Sequence, residues 1–347
     1  MAGDGYRVGV LGATGLVGTT ILELLAARDF PVAELRPLAS ERSAGKEIEW
    51  QGETLTVQAV SDEAIQGLDL VLSSAGGSVS AEWTPKIVAA GGTVVDNTSY
   101  WRMKDDVPLV VSEVNPDALQ GHHGIIANPN CSTMQMVVAL KPLYDAAGIE
   151  RLVISTYQAV SGTGKAAIDE LQSQARAVVG GYEMPEPQIY PHQIAFNVLA
   201  HAGNFPDGDD HTDEERKLIN ETRKILGDPE IKVSATCVRV PVVSGHSEAV
   251  NVETREPLDP ERARELLESA SGVTVVDDPA AGQYPMAVDA AGTDDVYVGR
   301  IRRDAGNERA LDMWIVSDNL RKGAATNAVQ VAELLVERSL LGQRQAA

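Results

Sequence analysis

With 347 residues, 44% of them hydrophobic, the chain can bury a large core, and its length predicts two domains. A formal net charge of −21 argues against nucleic acid or anionic membranes as partners, and no apolar run approaches membrane-spanning length. Two distant cysteines make no disulfide framework and Met1 to Tyr6 form no apolar signal region, so a reducing cytoplasm is the expected compartment.

The first third alternates strands and helices. Arg7-Val8-Gly9-Val10-Leu11 reads as a short buried strand, followed by Gly12-Ala13-Thr14-Gly15-Leu16-Val17-Gly18 and a helix through Ala27. Glycines three residues apart supply a tight turn, close backbone approach to a pyrophosphate and an open helix N-terminus to hold it. A second strand, about Glu34 to Leu38, runs into Ala39-Ser40-Glu41-Arg42-Ser43-Ala44-Gly45-Lys46. Where an NAD site places an acid for both ribose hydroxyls, Ser40, Arg42 and Ser43 stand here. That set suits a 2′-phosphate and favours NADP. Glu41 would repel the phosphate if it turned inward.

Leu70 to Leu72 form the next strand, and the small residues after it, Ser74, Gly76 and Gly77 among them, let a cofactor lie against the backbone. Thr93 to Asp96 and Ile125 to Ala127 are further strands. Consecutive βα units predict a doubly wound parallel sheet of Rossmann type, with ligands at the carboxyl ends of the strands. Gly12, Gly76 and Cys131 all fall there.

The stretch Asn128-Pro129-Asn130-Cys131-Ser132-Thr133-Met134-Gln135 is a polar turn leading into an apolar run that reads as a helix to about Ala147. Free N–H groups and the helix dipole at such a place favour a thiolate, and could stabilise an oxyanion where that sulfur attacks a carbonyl. The motif alone fits a small buried residue equally well.

After about Leu152 longer β-rich segments appear: Leu152 to Val160, Lys232 to Val242, Glu248 to Thr254, Val296 to Arg303 and Ala310 to Val316. Helices over Lys165 to Val179, Thr212 to Leu226 and Pro260 to Ser269 separate them. The pattern predicts an α+β domain whose mixed sheet has one face covered by helices. Residues 1–130, joined by a C-terminal helix within 320–347, would form the nucleotide domain, and 131–319 the catalytic and dimerisation domain. Glu183 to Pro191 and Asp207 to Asp213 read as surface loops.

Acyl transfer through a thiol needs a base, an anion-binding group and an orienting group. Arg239 and His246 lie in Cys237-Val238-Arg239-Val240-Pro241-Val242-Val243-Ser244-Gly245-His246, and Gln158 precedes Ser161-Gly162-Thr163-Gly164. A lone histidine is as readily a hydrogen-bonded surface residue. Glu214 and Lys217 share a helix face and read as a weak surface pair. Cys237, in an apolar strand, reads as core.

Taken together these segments resemble aspartate-β-semialdehyde dehydrogenases from Tyr6 nearly to the C-terminus. The glycine turn, Leu38 to Gly45, Asp96-Asn97-Thr98-Ser99-Tyr100-Trp101-Arg102-Met103 and Asn128 to Thr133 match in order. So do Glu214-Glu215-Arg216-Lys217, Arg239 to Ser247 and Asp318-Asn319-Leu320-Arg321-Lys322-Gly323-Ala324-Ala325. The resemblance implies reversible, NADP-dependent interconversion of aspartate-β-semialdehyde plus phosphate with β-aspartyl phosphate, in lysine, threonine, methionine and diaminopimelate biosynthesis. It makes Cys131 the nucleophile, His246 the acid/base and Gln158 the group orienting the acyl-enzyme. Arg239 would bind the substrate carboxylate, Glu214 its ammonium group, and Arg102, Lys217 and Asn130 the phosphate. The cofactor would contact Gly12, Thr14, Gly15, Leu16, Val17 and Gly18, the Ser40, Arg42 and Ser43 loop, Ser74, Gly76 and Gly77, with Ser161, Gly162 and Asn319 from the second domain. A homodimer, or a tetramer of dimers, is implied as well.

Tyr100-Trp101 is bulkier than the small-plus-aromatic pair usual before this arginine. N-acetyl-γ-glutamyl-phosphate reductase is the nearest rival, but its cysteine has glycine before it and an aromatic after it, unlike Asn130 and Ser132. A glyceraldehyde-3-phosphate dehydrogenase shares the cysteine-histidine logic without the flanking residues. A nucleotide-sensing regulator with a dead site is the reading from another class.

Overall fold

Continuous apolar runs make strands that must be buried on both faces. In the computed structural model, which describes residues 5–341, they are β1 (Tyr6–Leu11), β2 (Val32–Ala39), β6 (Leu70–Ser73), β7 (Thr93–Asp96) and β8 (Ile125–Ala127). With the short β5 (Gln58–Ala59) they form one sheet in the order β5-β2-β1-β6-β7-β8, every pairing parallel. This order reverses direction between β1 and β6, the arrangement of a Rossmann-type sheet. Val8, Val10, Leu70, Leu72 and Val95 pack on one face against α1 (Leu16–Ala27) and the last helix of the chain. Leu11, Leu38, Val71 and Val94 pack on the other against Ile87 of α2 (Gly77–Ala89). Successive residues along each strand point to opposite helical layers, so no polar alternation marks them in the sequence.

A hairpin of β3 (Glu47–Trp50) and β4 (Glu53–Thr56) was not foreseen from its charged residues. Its turn residues Gln51 and Gly52 both have positive φ, 49° and 83°, and Trp50 anchors it by donating to the Leu22 carbonyl at 2.9 Å.

The chain leaves this first unit between Asn130 and Cys131 and returns at Ala324. The second unit opens with α3 (Cys131–Ala147) and continues through β9 (Ile149–Gln158), α4 (Lys165–Gly180), α5 (Asp213–Leu226), β10 (Lys232–Arg239), β11 (His246–Thr254), α6 (Pro260–Glu268), β12 (Val273–Val275), α7 (Ala287–Ala290), β13 (Val296–Arg303) and β14 (Ala310–Ser317). Its sheet runs β10-β9-β11-β14-β13-β12, with parallel pairs at both edges and antiparallel pairs between, as the mixed-sheet expectation holds. Leu152, Ile154, Val250, Val252, Leu311, Met313 and Ile315 turn into the core. Residues of the opposite parity, Tyr157 and Trp314 among them, line the other face, their rings 5.3 Å apart. An open groove of about 550 Å³ on that face is bounded by Ser247, Ala249, Tyr284, Met286, Arg300 and Trp314.

Arg321–Thr326 form a π-helical turn before α8 (Asn327–Glu337), which completes the first unit. The terminal helix, expected from Arg321 to Leu341, therefore begins as a wider turn and ends at Glu337, and the part of the 320–347 span after Leu341 lies outside the described residues.

The glycine turn gives a sharp test. A Cβ on Gly18 would lie 2.1 Å from the Gly12 carbonyl oxygen, whereas one on Gly15 would lie at 3.3 Å. Gly18→Ala must move backbone and should destabilise the protein by about 1–3 kcal/mol, read by urea melts, with Gly15→Ala costing clearly less.

Candidate active site

In the first unit the ends of β1 and β6 converge. Gly12 sits at φ 90°, and a Cβ there would be 2.6 Å from the Ser74 carbonyl oxygen. Its N–H and that of Ala13 donate to the Leu38 carbonyl at 2.8 and 3.1 Å, which ties the turn to β2. α1 follows Gly15 with no side-chain cap and no acid in its first turn, which Leu16 and Val17 open. Its N–H groups therefore remain available to an anion. Thr14 Oγ1 lies 3.4 Å from Ser43 Oγ, on the short 3-10 turn Glu41–Ser43. Ser40, Glu41 and Arg42 are exposed on that turn. Gly76, at φ 91°, precedes α2, and a Cβ on either Gly76 or Gly77 would meet nothing within 4 Å. A glycine cradle, an uncapped helix start and a cation where an acid would exclude a 2′-phosphate fit a dinucleotide.

Also in this unit, Asp96 at the end of β7 is fully buried and organises the segment to Arg102. It accepts from the Thr98 N–H (2.7 Å), the Thr98 hydroxyl (2.5 Å) and the Ser80 hydroxyl (2.7 Å). Trp101 Nε1 donates to the same Ser80 at 2.8 Å, so the unusual indole serves as a strut, with Tyr100 edge-on against it. Arg102, itself buried, donates from Nε to the Asn128 carbonyl (2.9 Å) and from Nη2 to the Asn97 carbonyl (2.7 Å). Asn130 is buried two residues on from Asn128.

In the second unit Cys131 is the first residue of α3, half-buried, with Gly323 pressed against it. A Cβ on Gly323 would lie 2.8 Å from the Cys131 Cβ. The next residue, Ser132, accepts from Gln158 Nε2 at 3.1 Å. Strand register brings the remaining groups to the same end of the sheet. Arg239 of β10 pairs with Gln158 of β9, and the β9–β11 register ends with Tyr157 opposite Ser247, next to His246.

Ala159, just past β9, holds two of these side chains. Its N–H donates to His246 Nδ1 at 3.0 Å, and its carbonyl accepts from Arg239 Nη1 at 2.8 Å. Because Nδ1 accepts, a neutral His246 carries its proton on Nε2. Nε2 and Arg239 Nε are buried without a hydrogen-bond partner among the described residues. Gly162 lies over both: a Cβ there would come within 3.2 Å of Nε2 and 3.3 Å of Arg239 Nη1. Burial, and secondarily the Arg239 charge, lower the His246 pKa to about 3, with Glu214 opposing. Glu214 is near-buried on α5, which starts in a capping box between Thr212 and Glu215. Its carboxylate pairs with Lys217 at 2.8 Å, and Asp213 adds a contact to Lys217 at 3.3 Å.

The Asn319 amide exchanges hydrogen bonds with Ser161 (2.9 and 3.2 Å) and accepts from the Gly245 N–H at 3.0 Å, which secures the turn before His246. Cys237 is buried, and desolvation pushes its thiol far up, so of the two cysteines it is the inert one. The sequence reading missed Ala159, Gly323, Asp96 and Ser80. Ala159 and Gly323 act through backbone or through the lack of a side chain, which leaves no chemical signature in the sequence.

Comparison with known proteins places these units. Family models match residues 7–122 as a semialdehyde dehydrogenase NAD-binding domain and residues 140–322 as a semialdehyde dehydrogenase dimerisation domain. An aspartate-semialdehyde dehydrogenase of Aquifex aeolicus is 56% identical over 340 residues, 97% of this chain and 100% of the relative. The crystal structure of aspartate semialdehyde dehydrogenase II from Vibrio cholerae, also solved complexed with ASA, superposes with a TM-score of 0.93 at 50% identity, covering 96% of this chain and 99% of that one. The Candida albicans aspartate semialdehyde dehydrogenase solved with NADP gives 0.73 at 29% identity, covering 97% and 100%.

Two outcomes follow from the geometry. Gly323→Ala should displace Cys131 and slow its alkylation by iodoacetamide severalfold while far-UV circular dichroism stays unchanged. His246 should remain neutral through the working range, so kcat/KM should show no limb near the ordinary histidine value of about 6.5. A limb there that His246→Gln removes would contradict this. The stability contributed by neutral His246 is complete above about 6.5 and is lost as pH falls toward about 3, where the folded group at last takes its proton.

Proposed function

The chain belongs to the aspartate-semialdehyde dehydrogenase family of oxidoreductases, and on that premise we propose that it reduces L-β-aspartyl phosphate to L-aspartate-β-semialdehyde with NADPH, reversibly, through a thioester on Cys131. The observation that carries the reading is the convergence on Ala159: one residue fixes His246 and Arg239 at the end of the sheet where Gln158 reaches the first turn of the Cys131 helix.

As a thiolate at the start of α3, Cys131 attacks the acyl carbon. The carbon–sulfur bond forms, the carbon–oxygen bond to phosphate breaks, and phosphate departs with the electron pair and takes up a proton. The glycine turn of the first unit would hold NADPH, which would supply a hydride to the thioester carbon; the carbon–sulfur bond then breaks, which releases the aldehyde and returns Cys131 as the thiolate. His246, with its proton on Nε2, donates to the substrate carbonyl oxygen whenever that oxygen becomes anionic. The resemblance implies an acid/base there. A neutral donor meets the same need, since the proton balance closes on the departing phosphate. One N–H of Gln158 rests on Ser132, leaving the rest of its amide to orient the acyl group. Arg239, anchored through Nη1, presents Nε to the substrate carboxylate, and Glu214 takes the ammonium group. Arg102, Asn130 and Lys217 bind phosphate. Ser40, Arg42 and Ser43 take the 2′-phosphate of the cofactor, whose nicotinamide end is steadied by Ser161, Gly162 and Asn319. The open sheet face around Tyr157 and Trp314 is the surface on which a cytoplasmic homodimer would form, in the amino-acid biosynthetic route to lysine, threonine, methionine and diaminopimelate.

The test is phosphate-dependent reduction of NADP and of NAD, with L-aspartate-β-semialdehyde or N-acetyl-glutamate-γ-semialdehyde in parallel. Turnover of the free-amine substrate with NADP is expected. It should vanish in Cys131→Ala, which still binds NADP, and shift toward NAD in Arg42→Asp. Turnover of the acetylated substrate alone would overturn the roles of Glu214 and Arg239.

A further inference from the structure

Glu248 lies two residues beyond His246 on β11, on the same helix-facing side, and is completely buried. Nothing in the mechanism above uses it. Thr156 of β9 and Ile315 of β14 flank it in register, and the Cys237 thiol lies beyond Thr156 on β10. From α3, the Ser132 and Gln135 side chains face its carboxyl group. No cation pairs with it among the described residues, and neither of its oxygens meets hydrogen-bond geometry with any partner there. Both polar atoms of the Gln135 side chain, equally buried, are in the same position.

A carboxylate could satisfy only the amide nitrogen of Gln135, leaving the amide oxygen facing an anion. A carboxylic acid satisfies both: its hydroxyl donates to Oε1 and its carbonyl accepts from Nε2. Ser132 stands beside the same carboxyl group, and its oxygen accepts from Gln158 Nε2 at 3.1 Å. We propose that Glu248, as a neutral acid, is a positioning residue of the reaction, closing a hydrogen-bonded ring with Gln135 and fixing Ser132, and through it Gln158, beneath Cys131. Burial favours this state, raising the Glu248 pKa well above the ordinary carboxyl value against the opposing pull of Gln135 and Ser132. The charge state has a consequence for the sulfur. An ionised Glu248 would set a buried negative charge at the positive end of α3, opposing the Cys131 thiolate and the oxyanions formed from it. The neutral acid leaves that helix end to the substrate.

The inference rests on the reaction proposed above for its kinetic part, and two readouts are independent of substrate. The infrared difference spectrum of wild type minus Glu248→Gln at neutral pH should contain a carboxylic-acid carbonyl band. The pH profile of Cys131 alkylation by iodoacetamide should superimpose for the two proteins. In turnover, Glu248→Gln, whose amide can still pair with Gln135, should remain within about twofold of wild type. Glu248→Ala should lower kcat about ten- to hundredfold with KM little changed. Absence of the acid band, or an alkylation profile displaced to lower pH in Glu248→Gln, would show an ionised Glu248 and overturn the proposal. So would full kcat in Glu248→Ala, or equal damage in both variants. If the wild type reduces no aspartyl substrate, the proposed reaction fails while the spectrum and alkylation still decide the state of Glu248.

Discussion

The peptide of Ala159 is the point on which the chemistry proposed for the second unit depends. It stands where β9 has ended, so its N–H and carbonyl are released from the sheet ladder and free to bind side chains. One goes to His246 and the other to Arg239. A backbone donor cannot change its charge or swing away, so it fixes the imidazole tautomer more firmly than a carboxylate would. A carboxylate orienter raises the basicity of its histidine and readies it for proton transfer. An amide N–H does the opposite, holding the ring neutral and making it a donor. In the proposed reaction the orienter would thus make His246 a proton donor through Nε2.

Electrostatics at large and in detail run in opposite directions. The chain carries −21 overall, yet its proposed ligands are anions: a dinucleotide phosphate, an acyl phosphate and a carboxylate. Their recognition falls to a few placed cations and to helix starts free of acids. α1 has no acid in its first turn, and α3 begins with Cys131 and has none either. α5 takes three acids at the same place, Asp213, Glu214 and Glu215, where the ligand group assigned to Glu214 is a cation. Acids thus stand at the helix start proposed to meet a cation and are missing from the two proposed to meet anions.

Much of this was legible in the sequence, and the parts that were not share a cause. The strands of both sheets, the glycine turn and the cysteine at a helix start are written in apolar runs and turn residues. Val296–Arg303 and Thr93–Asp96 have the ends expected of them. The β3–β4 hairpin escaped because its alternating Glu and Thr residues pack only through Trp50 and a few neighbours. The bulk of Trp101 looked out of place until the Ser80–Asp96 network accounted for its indole nitrogen. Ala159 and Gly323 carry no side-chain chemistry, so only a folded chain shows what lies beside them.

The interior of the second unit is electrically quiet around Cys131, the proposed nucleophile. Burial lowers the His246 pKa and raises those of Cys237 and Glu248, so it favours the uncharged form of each. Each of the three is a titratable group on the helix-facing side of the same sheet, and each would be a competing charge if it ionised. Coulomb interactions in such a poorly polarisable region are strong and weakly screened, so even one stray charge would shift the thiolate and the oxyanion together. Arg239 and Glu214 are the exceptions, and both are assigned to the fixed charges of the substrate. Neutrality in the sheet and charge at its rim serve the proposed reaction together: charge forming at the substrate carbon would meet the α3 helix start and the His246 proton without a competing buried charge.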